Sequence, residues 1–234
     1  MDGKSLHVLR VGLFDRNYPR NRTTAAALRA AGAEIADLHA PVLESIRDRL
    51  RPARAKRALA QLGQRIVAGE AGLLVRAAPA LAKADIVLIG YPGQWDAVFW
   101  SPLARRAGCT VVFDPLVTLT ETFVEDRALL APGSWQARIL RWLDQRAFRA
   151  ADVVLADTPQ QAAYWAALAG IPLDRLLILP VGADEELFTA PMTSRAPREE
   201  PDCLRVLFYG TYSPLHGAET IVAALHRLER ASER

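Results

Sequence analysis

Asp114 stands where a short run of strand-forming residues gives way to a loop, in FDPLVTLTETFVEDR (113–127). A carboxylate at the end of a strand is costly to bury unless it is paired or used, so Asp114 is the first candidate for chemistry. Thr118 and Glu121 follow at a spacing of three. That spacing suits a reciprocal helix cap, and the same pair could equally offer a hydroxyl and a carboxylate to a ligand. A second loop, FDRNYPRN (14–21), carries Arg16, Tyr18 and Arg20. Arginine forks suit phosphate or carboxylate groups; the alternative is a pair of solvated loop charges. Pro19 interrupts regular structure there, and Asn21 or Thr23 is placed to cap the helix that follows. A third loop, YPGQWD (91–96), offers Tyr91 and Trp95 to an apolar ring face and Gln94 to hydroxyls. It reads as well as a tight turn with buried aromatics, closed by Asp96 as a helix cap. Far downstream, YGTYSPLHG (209–217) brings Gly210, Thr211, His216 and Gly217 to the start of a helix, where backbone N–H groups can approach phosphate. His216 is either a weak donor to such a phosphate or a plain loop histidine.

These loops need a frame. Apolar runs at 6–14, 33–38, 84–90, 110–114, 152–156 and 175–180 read as strands. Helical patterns lie between them at about 21–32, 53–83, 96–107, 133–150 and 158–169. Strand–helix alternation with nearly continuous apolar strands predicts an α/β doubly wound parallel sheet of the Rossmann-like kind. Ligands of such sheets bind beyond the C-terminal strand ends, so the loops that matter begin near Asp15, Tyr91, Asp114, Asp157 and Val181. Segment 189–203 (TAPMTSRAPREEPDC) is rich in proline and charge and reads as a linker. Beyond it, Leu204–Tyr209 predicts one new strand and Gly217–Arg230 one new helix. One strand and one helix cannot bury a core by themselves.

Composition sets the outer limits. The 234 residues are 51% hydrophobic and 24% charged with a net charge of +3, the balance of an ordinary soluble globular chain. The charge is too small and too local to argue for nucleic acid. Cys109 and Cys203 form no paired motif and read as reduced thiols. The N-terminus carries no secretory pattern and no apolar run is long enough to span a bilayer, so a cytoplasmic location is expected. No G-x-G-x-x-G fingerprint is present, which argues against a nicotinamide-dependent dehydrogenase.

Four stretches in order together resemble the retaining glycosyltransferases of family 4, which have the two-Rossmann GT-B architecture. They are FDRNYPRN, FDPLVTLTETFVEDR, the long ADTPQQAAYWAALAGIPLDRLLILPVGADEELF (156–188), and YGTYSPLHGAETIVAAL (209–225). The resemblance implies an acceptor-side domain over 1–188, a linker over 189–203, and the first strand and helix of a donor-side domain over 204–234. It implies transfer of a sugar from a nucleotide-sugar donor to a glycan or lipid-linked acceptor, with neither metal nor cofactor. Asp114 becomes the catalytic candidate, with Arg16, Tyr18, Arg20, Tyr91, Gln94, Thr118 and Glu121 around the acceptor crevice. Gly210, Thr211, His216 and Gly217 become the donor-phosphate contacts. The pattern departs from the family in several places. The first loop lacks a Gly-Gly pair, none of the four histidines falls at the crevice, and Thr211 and His216 stand where cations are usual. The paired glutamates E-x7-E that hold the donor do not occur in these residues. The expectation is therefore a chain inactive alone, or else a non-catalytic acceptor-binding module or one half of a split enzyme.

Two basic stretches point to a further partner. Residues 46–65 hold seven Arg and Lys against Asp48, a local +6. Trp135, Ile139 and Trp142 alternate with Arg138, Arg141 and Arg149 along a second helix. Such helices either lie on an anionic membrane, here the inner face, or are simply solvated.

Overall fold

The computed structural model describes residues 5–42, 55–183, 188, 206–209 and 216–232. Strands β1 (His7–Gly12), β2 (Glu34–His39), β3 (Ile86–Ile89), β4 (Thr110–Phe113), β5 (Val153–Ala156) and β6 (Leu176–Ile178) form one six-stranded sheet in the order β2-β1-β3-β4-β5-β6. Every neighbouring pair is parallel. Between the strands run α1 (Pro19–Ala30), α2 (Ala55–Leu81), α3 (Gln94–Arg106), α4 (Trp135–Ala150) and α5 (Pro159–Ala169). The chain winds from β1 to β2 in one direction and from β3 to β6 in the other, so strand order reverses between β1 and β3. In sheets of this kind the loops part above such a reversal, and ligands bind there, beyond the C-terminal strand ends.

The inner strands IVLI, TVVF and VVLA are apolar at nearly every position because both faces of the sheet are covered. The edge strand β2 (EIADLH) instead buries only Leu38 fully. Trp100 of α3, Phe148 of α4 and Trp165 of α5 fill the largest buried volumes against Val111, Phe113 and Val154. Phe148 links Phe113 and Trp165 at ring distances of 5.9 and 5.1 Å. Ala97, Ala104 and Ala147 are fully buried beside these rings, and their small side chains let the helices approach closely.

Helix ends follow local chemistry, with two corrections. Ser134 caps α4 by accepting from the Ala137 N–H, and Thr158 caps α5 by accepting from the Gln161 N–H. Helix α1 starts at Pro19, ahead of the expected cap at Asn21 or Thr23, since proline's fixed φ suits the first helical position. Helix α3 starts behind Gly93, and Asp96 caps nothing because its carboxylate is drawn inward beneath β1. Downstream, α6 (Ala218–Ser232) forms as expected. Of the strand expected at Leu204–Tyr209, residues 206–209 are described and pair with no ladder, and Leu207 is 90% exposed. A strand needs a partner, and none lies beside it among the described residues. The linker over 189–203 lies outside the described residues.

Candidate functional site

Five loops meet above the C-terminal ends of the strands, at the position expected for an acceptor crevice, and side chains tie them into one floor. The first tie spans the strand-order reversal. Asn21, buried in the first turn of α1, donates to the carbonyls of Asp15 and Tyr91 at 2.7 Å each, and its Oδ1 accepts the Tyr91 N–H at 3.0 Å. The loops after β1 and β3 are thereby fastened to each other. The rings of Tyr18 and Tyr91 then meet across the gap, 4.5 Å between centroids. Both are half-buried and form the aromatic lip of the crevice.

Arg20 sits in the floor, not above the sheet edge where its loop position suggested. It is 2% exposed, and its Nε donates to both oxygens of Asp114 at 2.9 Å. Its Nη1 donates to the Leu179 carbonyl at 3.0 Å and lies 3.1 Å from Asp157 Oδ1. Thr24 adds a hydroxyl donor to Asp114 at 3.0 Å. One guanidinium thus joins α1 to the ends of β4, β5 and β6. Burial pushes the Asp114 carboxyl above its ordinary value, against the pull of Arg20 and Thr24. Asp114 is 1% exposed, so it faces its partners and not an open crevice. Arg16 is turned aside, 3.2 Å from Asp37 on β2.

The loop after β4 is held from both sides. Gln94 is buried, and its Nε2 donates to the Val117 carbonyl at 2.9 Å while its Oε1 has no partner among the described residues. Gln161 of α5 donates to the Leu116 carbonyl at 3.1 Å and accepts the Asp157 N–H at 2.7 Å. Thr118 and Glu121 form the capping box. The Thr118 N–H and hydroxyl donate to Glu121 Oε2, and the Glu121 N–H donates to Thr118 Oγ1 at 2.9 Å. Asp144, buried on α4, accepts the Leu119 and Thr120 N–H groups at 2.9 Å each and so secures the same turn. The turn continues as a short π-helix, Glu121–Asp126.

Gln161 and Asp144 were not singled out by sequence, and Asn21 was singled out only as a helix cap. Gln161 had a signal, since Thr158-x-x-Gln161 matches the capping-box spacing. Asn21 and Asp144 had none, because their partners lie 70 and 24 positions away. Trp95 is half-exposed on the first turn of α3. His216 is exposed just ahead of α6, and Gly217 has φ 61. Gly210 and Thr211 lie outside the described residues.

Residues 16–182 match the glycosyl transferase 4-like domain, a span that runs from Arg16 through the loops after β3, β4, β5 and β6. The chain belongs to that family. A curated relative, D-inositol 3-phosphate glycosyltransferase of Xylanimonas cellulosilytica, is 31% identical over 127 residues, 49% of this chain and 30% of its own length. Among solved structures, Anabaena Alr3699/HepE in complex with UDP aligns with 80% of this chain and 47% of its own, at 13% identity and a TM-score of 0.39. The chain thus spans less than half the length of either.

A second buried pair supports the floor from below. Asp96 accepts the Leu13 N–H at 3.0 Å, and Glu70 of α2 accepts the Trp100 indole N–H at 2.8 Å. Burial pushes the Asp96 carboxyl well above its usual range, and the neighbouring Glu70 carboxyl pushes it further. Glu70 is raised as well, chiefly by burial. The folded state therefore holds protons that the unfolded state releases. The stabilisation is complete below the ordinary carboxyl range and declines as pH rises through the elevated folded values. Asp96→Asn cannot ionise, so its melting temperature should gain on the wild type as pH rises above the ordinary carboxyl range. A difference in melting temperature independent of pH would show that the pair holds no proton.

Proposed function

We propose that this chain forms the acceptor side of a retaining glycosyltransferase that moves a sugar from a nucleotide-sugar donor to a hydroxyl-bearing acceptor. The observation that carries this reading is the family match across 16–182, which coincides with a rigidly tied crevice at the strand-order reversal. Tyr18 and Tyr91 present ring faces suited to the apolar side of a sugar or polyol. Gln94, buried beneath them, holds the Val117 carbonyl and so shapes the loop after β4. Thr118 and Glu121 shape the turn beside them. Arg20 is neutralised by Asp114 and Asp157, so the floor itself favours an uncharged acceptor group over a phosphate. Arg16, half-exposed at the rim, is the nearer cation for a charged acceptor. Asp114 acts through Arg20 as a positioning residue. The proton lost by the acceptor hydroxyl passes to the departing diphosphate, so donor-phosphate contacts carry the transition-state charge. Those contacts fall to Gly210, Thr211, His216 and Gly217 at the head of α6, without metal or cofactor. Residues 1–234 alone are expected not to transfer, since the E-x7-E pair is not among them.

The test uses the complete reading frame of the gene with UDP- and GDP-sugars. The acceptor panel comprises inositol, D-inositol 3-phosphate, octyl glucoside and a lipid-linked glycan. Nucleotide release coupled to a new glycoside is expected. Transfer that appears only when a separate donor-side chain is added identifies a split enzyme. No glycoside from any combination sinks the enzyme reading.

The acceptor reading extends to an anionic membrane at the inner face of the cell. Trp135 is 68% exposed, with Ile139 and Trp142 each 51% exposed on the same side of α4. Arg138, Arg141, Arg146 and Arg149 are exposed along the same helix, and the Arg146 guanidinium lies 5.5 Å from the Trp142 ring. Exposed indoles flanked by arginines suit an interface with acidic headgroups. The basic stretch at 46–65 lies outside the described residues up to residue 54. Vesicles containing phosphatidylglycerol should retain the protein, and Trp135→Glu with Trp142→Glu should reduce binding roughly tenfold or more. Equal binding to neutral and anionic vesicles would refute this partner.

A further inference from the structure

Leu116 has φ 61, one of two non-glycine residues with positive φ among the described residues. A branched aliphatic side chain is unfavourable there. Around it the Val117 N–H donates to the Pro115 carbonyl at 2.7 Å. A hydrogen bond from residue i+2 to residue i across a positive φ is the rare, strained form of the γ-turn.

The surroundings hold this turn from all sides. Gln161 fixes the Leu116 carbonyl at 3.1 Å and Gln94 fixes the Val117 carbonyl at 2.9 Å. The residue before the turn is locked by Arg20 and Thr24, and the residue after it by Glu121. Helices α3 and α5 thus hold the backbone of Leu116 and Val117, while α1 holds the Asp114 side chain at the end of β4. A plain connection could place glycine at 116 and avoid the strain. Strained residues persist where the surroundings over-determine them, and they gather where a ligand must be met by a fixed shape. The turn lies in the same tied floor as the buried Gln94, whose Oε1 has no partner among the described residues. That atom is closed to solvent, so Gln94 acts on the turn through its Nε2 and not on a ligand directly.

We propose that Leu116 is a positioning residue for the acceptor: its left-handed γ-turn, clamped by Gln94 and Gln161, fixes the shape of the 114–118 loop against which the acceptor hydroxyl is aligned. The proposal rests on reading the crevice as the acceptor side of a transferase. Relaxing residue 116 should therefore loosen acceptor alignment while leaving donor binding untouched.

The test compares L116G with L116A, which share the loss of the side chain and differ in tolerance of positive φ. In thermal unfolding, L116G should melt about 2–4 °C above L116A. With the complete reading frame and the fastest donor–acceptor pair of the panel above, L116G should show an acceptor KM at least tenfold above that of L116A. Its donor KM, and its slow hydrolysis of the nucleotide sugar by water, should match those of L116A. An L116G that melts at or below L116A shows that no strain is stored, and overturns the proposal. Higher melting with equal acceptor KM values shows strain without positioning, and overturns it too, as does a parallel change in donor KM. Absence of any transfer by the wild type removes the transferase reading and this proposal with it, while the melting comparison still reports on the strain.

Discussion

Replacing Arg20 by alanine is expected to lower the unfolding free energy by about 3–5 kcal/mol, because it strands a buried carboxylate. Asp114 and Arg20 are 1% and 2% exposed, so solvent cannot take over for either partner. Without the guanidinium, Asp114 keeps only the Thr24 hydroxyl, the Leu179 carbonyl loses its donor, and Asp157 loses its counter-charge. The loss is not the net worth of the ion pair. It is the penalty of an unpaired charge, so removing both charges together should hurt less than removing either one. The double variant Arg20→Met with Asp114→Leu should therefore be more stable than Arg20→Ala. Urea denaturation of the chain and its variants measures both effects. A loss below about 1 kcal/mol for Arg20→Ala, the level of an exposed pair, would contradict the floor described above.

The second large effect is expected at Gly12, the last residue of β1. Its φ is 130, and a Cβ there would fall inside the Asp96 carboxylate. Gly12→Ala should cost about 3–4 kcal/mol, combining overpacking with a disfavoured backbone conformation. The two contributions can be separated. In an Asp96→Ala background the carboxylate is gone and only the conformational part and a 3.1 Å approach to the residue-96 Cβ remain, so the cost of Gly12→Ala should fall by about half. Asp96→Ala has its own cost, because it leaves the Leu13 N–H without an acceptor. An equal cost of Gly12→Ala in both backgrounds would mean that Asp96 does not set the close approach.

Much of this frame can be read from sequence, and for physical reasons. Runs such as IVLI and VVLA announce buried parallel strands, so the six strands and the loops beginning near Asp15, Tyr91, Asp114 and Asp157 were legible. The Thr118–Glu121 cap was legible because its partners are three residues apart. Long-range pairing was not. Arg20 looked like a surface cation because nothing local shows that Asp114, 94 positions away, would neutralise it. Asp96 looked like a helix cap for the same reason, since its true partner, Leu13, is 83 positions distant. The strain at Leu116 was invisible because leucine carries no turn signal, and only glutamines from two other helices hold the turn. Sequence therefore marked the loops at the C-terminal strand ends, and did not show that Arg20, Asp96 and Asp114 are buried among them.

The central claim, that this crevice belongs to a retaining glycosyltransferase, is tested most directly by the anomeric configuration of the product. Proton NMR of the glycoside made by the complete reading frame from an α-linked UDP- or GDP-sugar would resolve the anomeric coupling. An α-glycoside at the first detectable turnover is the expected result. A β-glycoside, or no glycoside from any donor and acceptor, would contradict it.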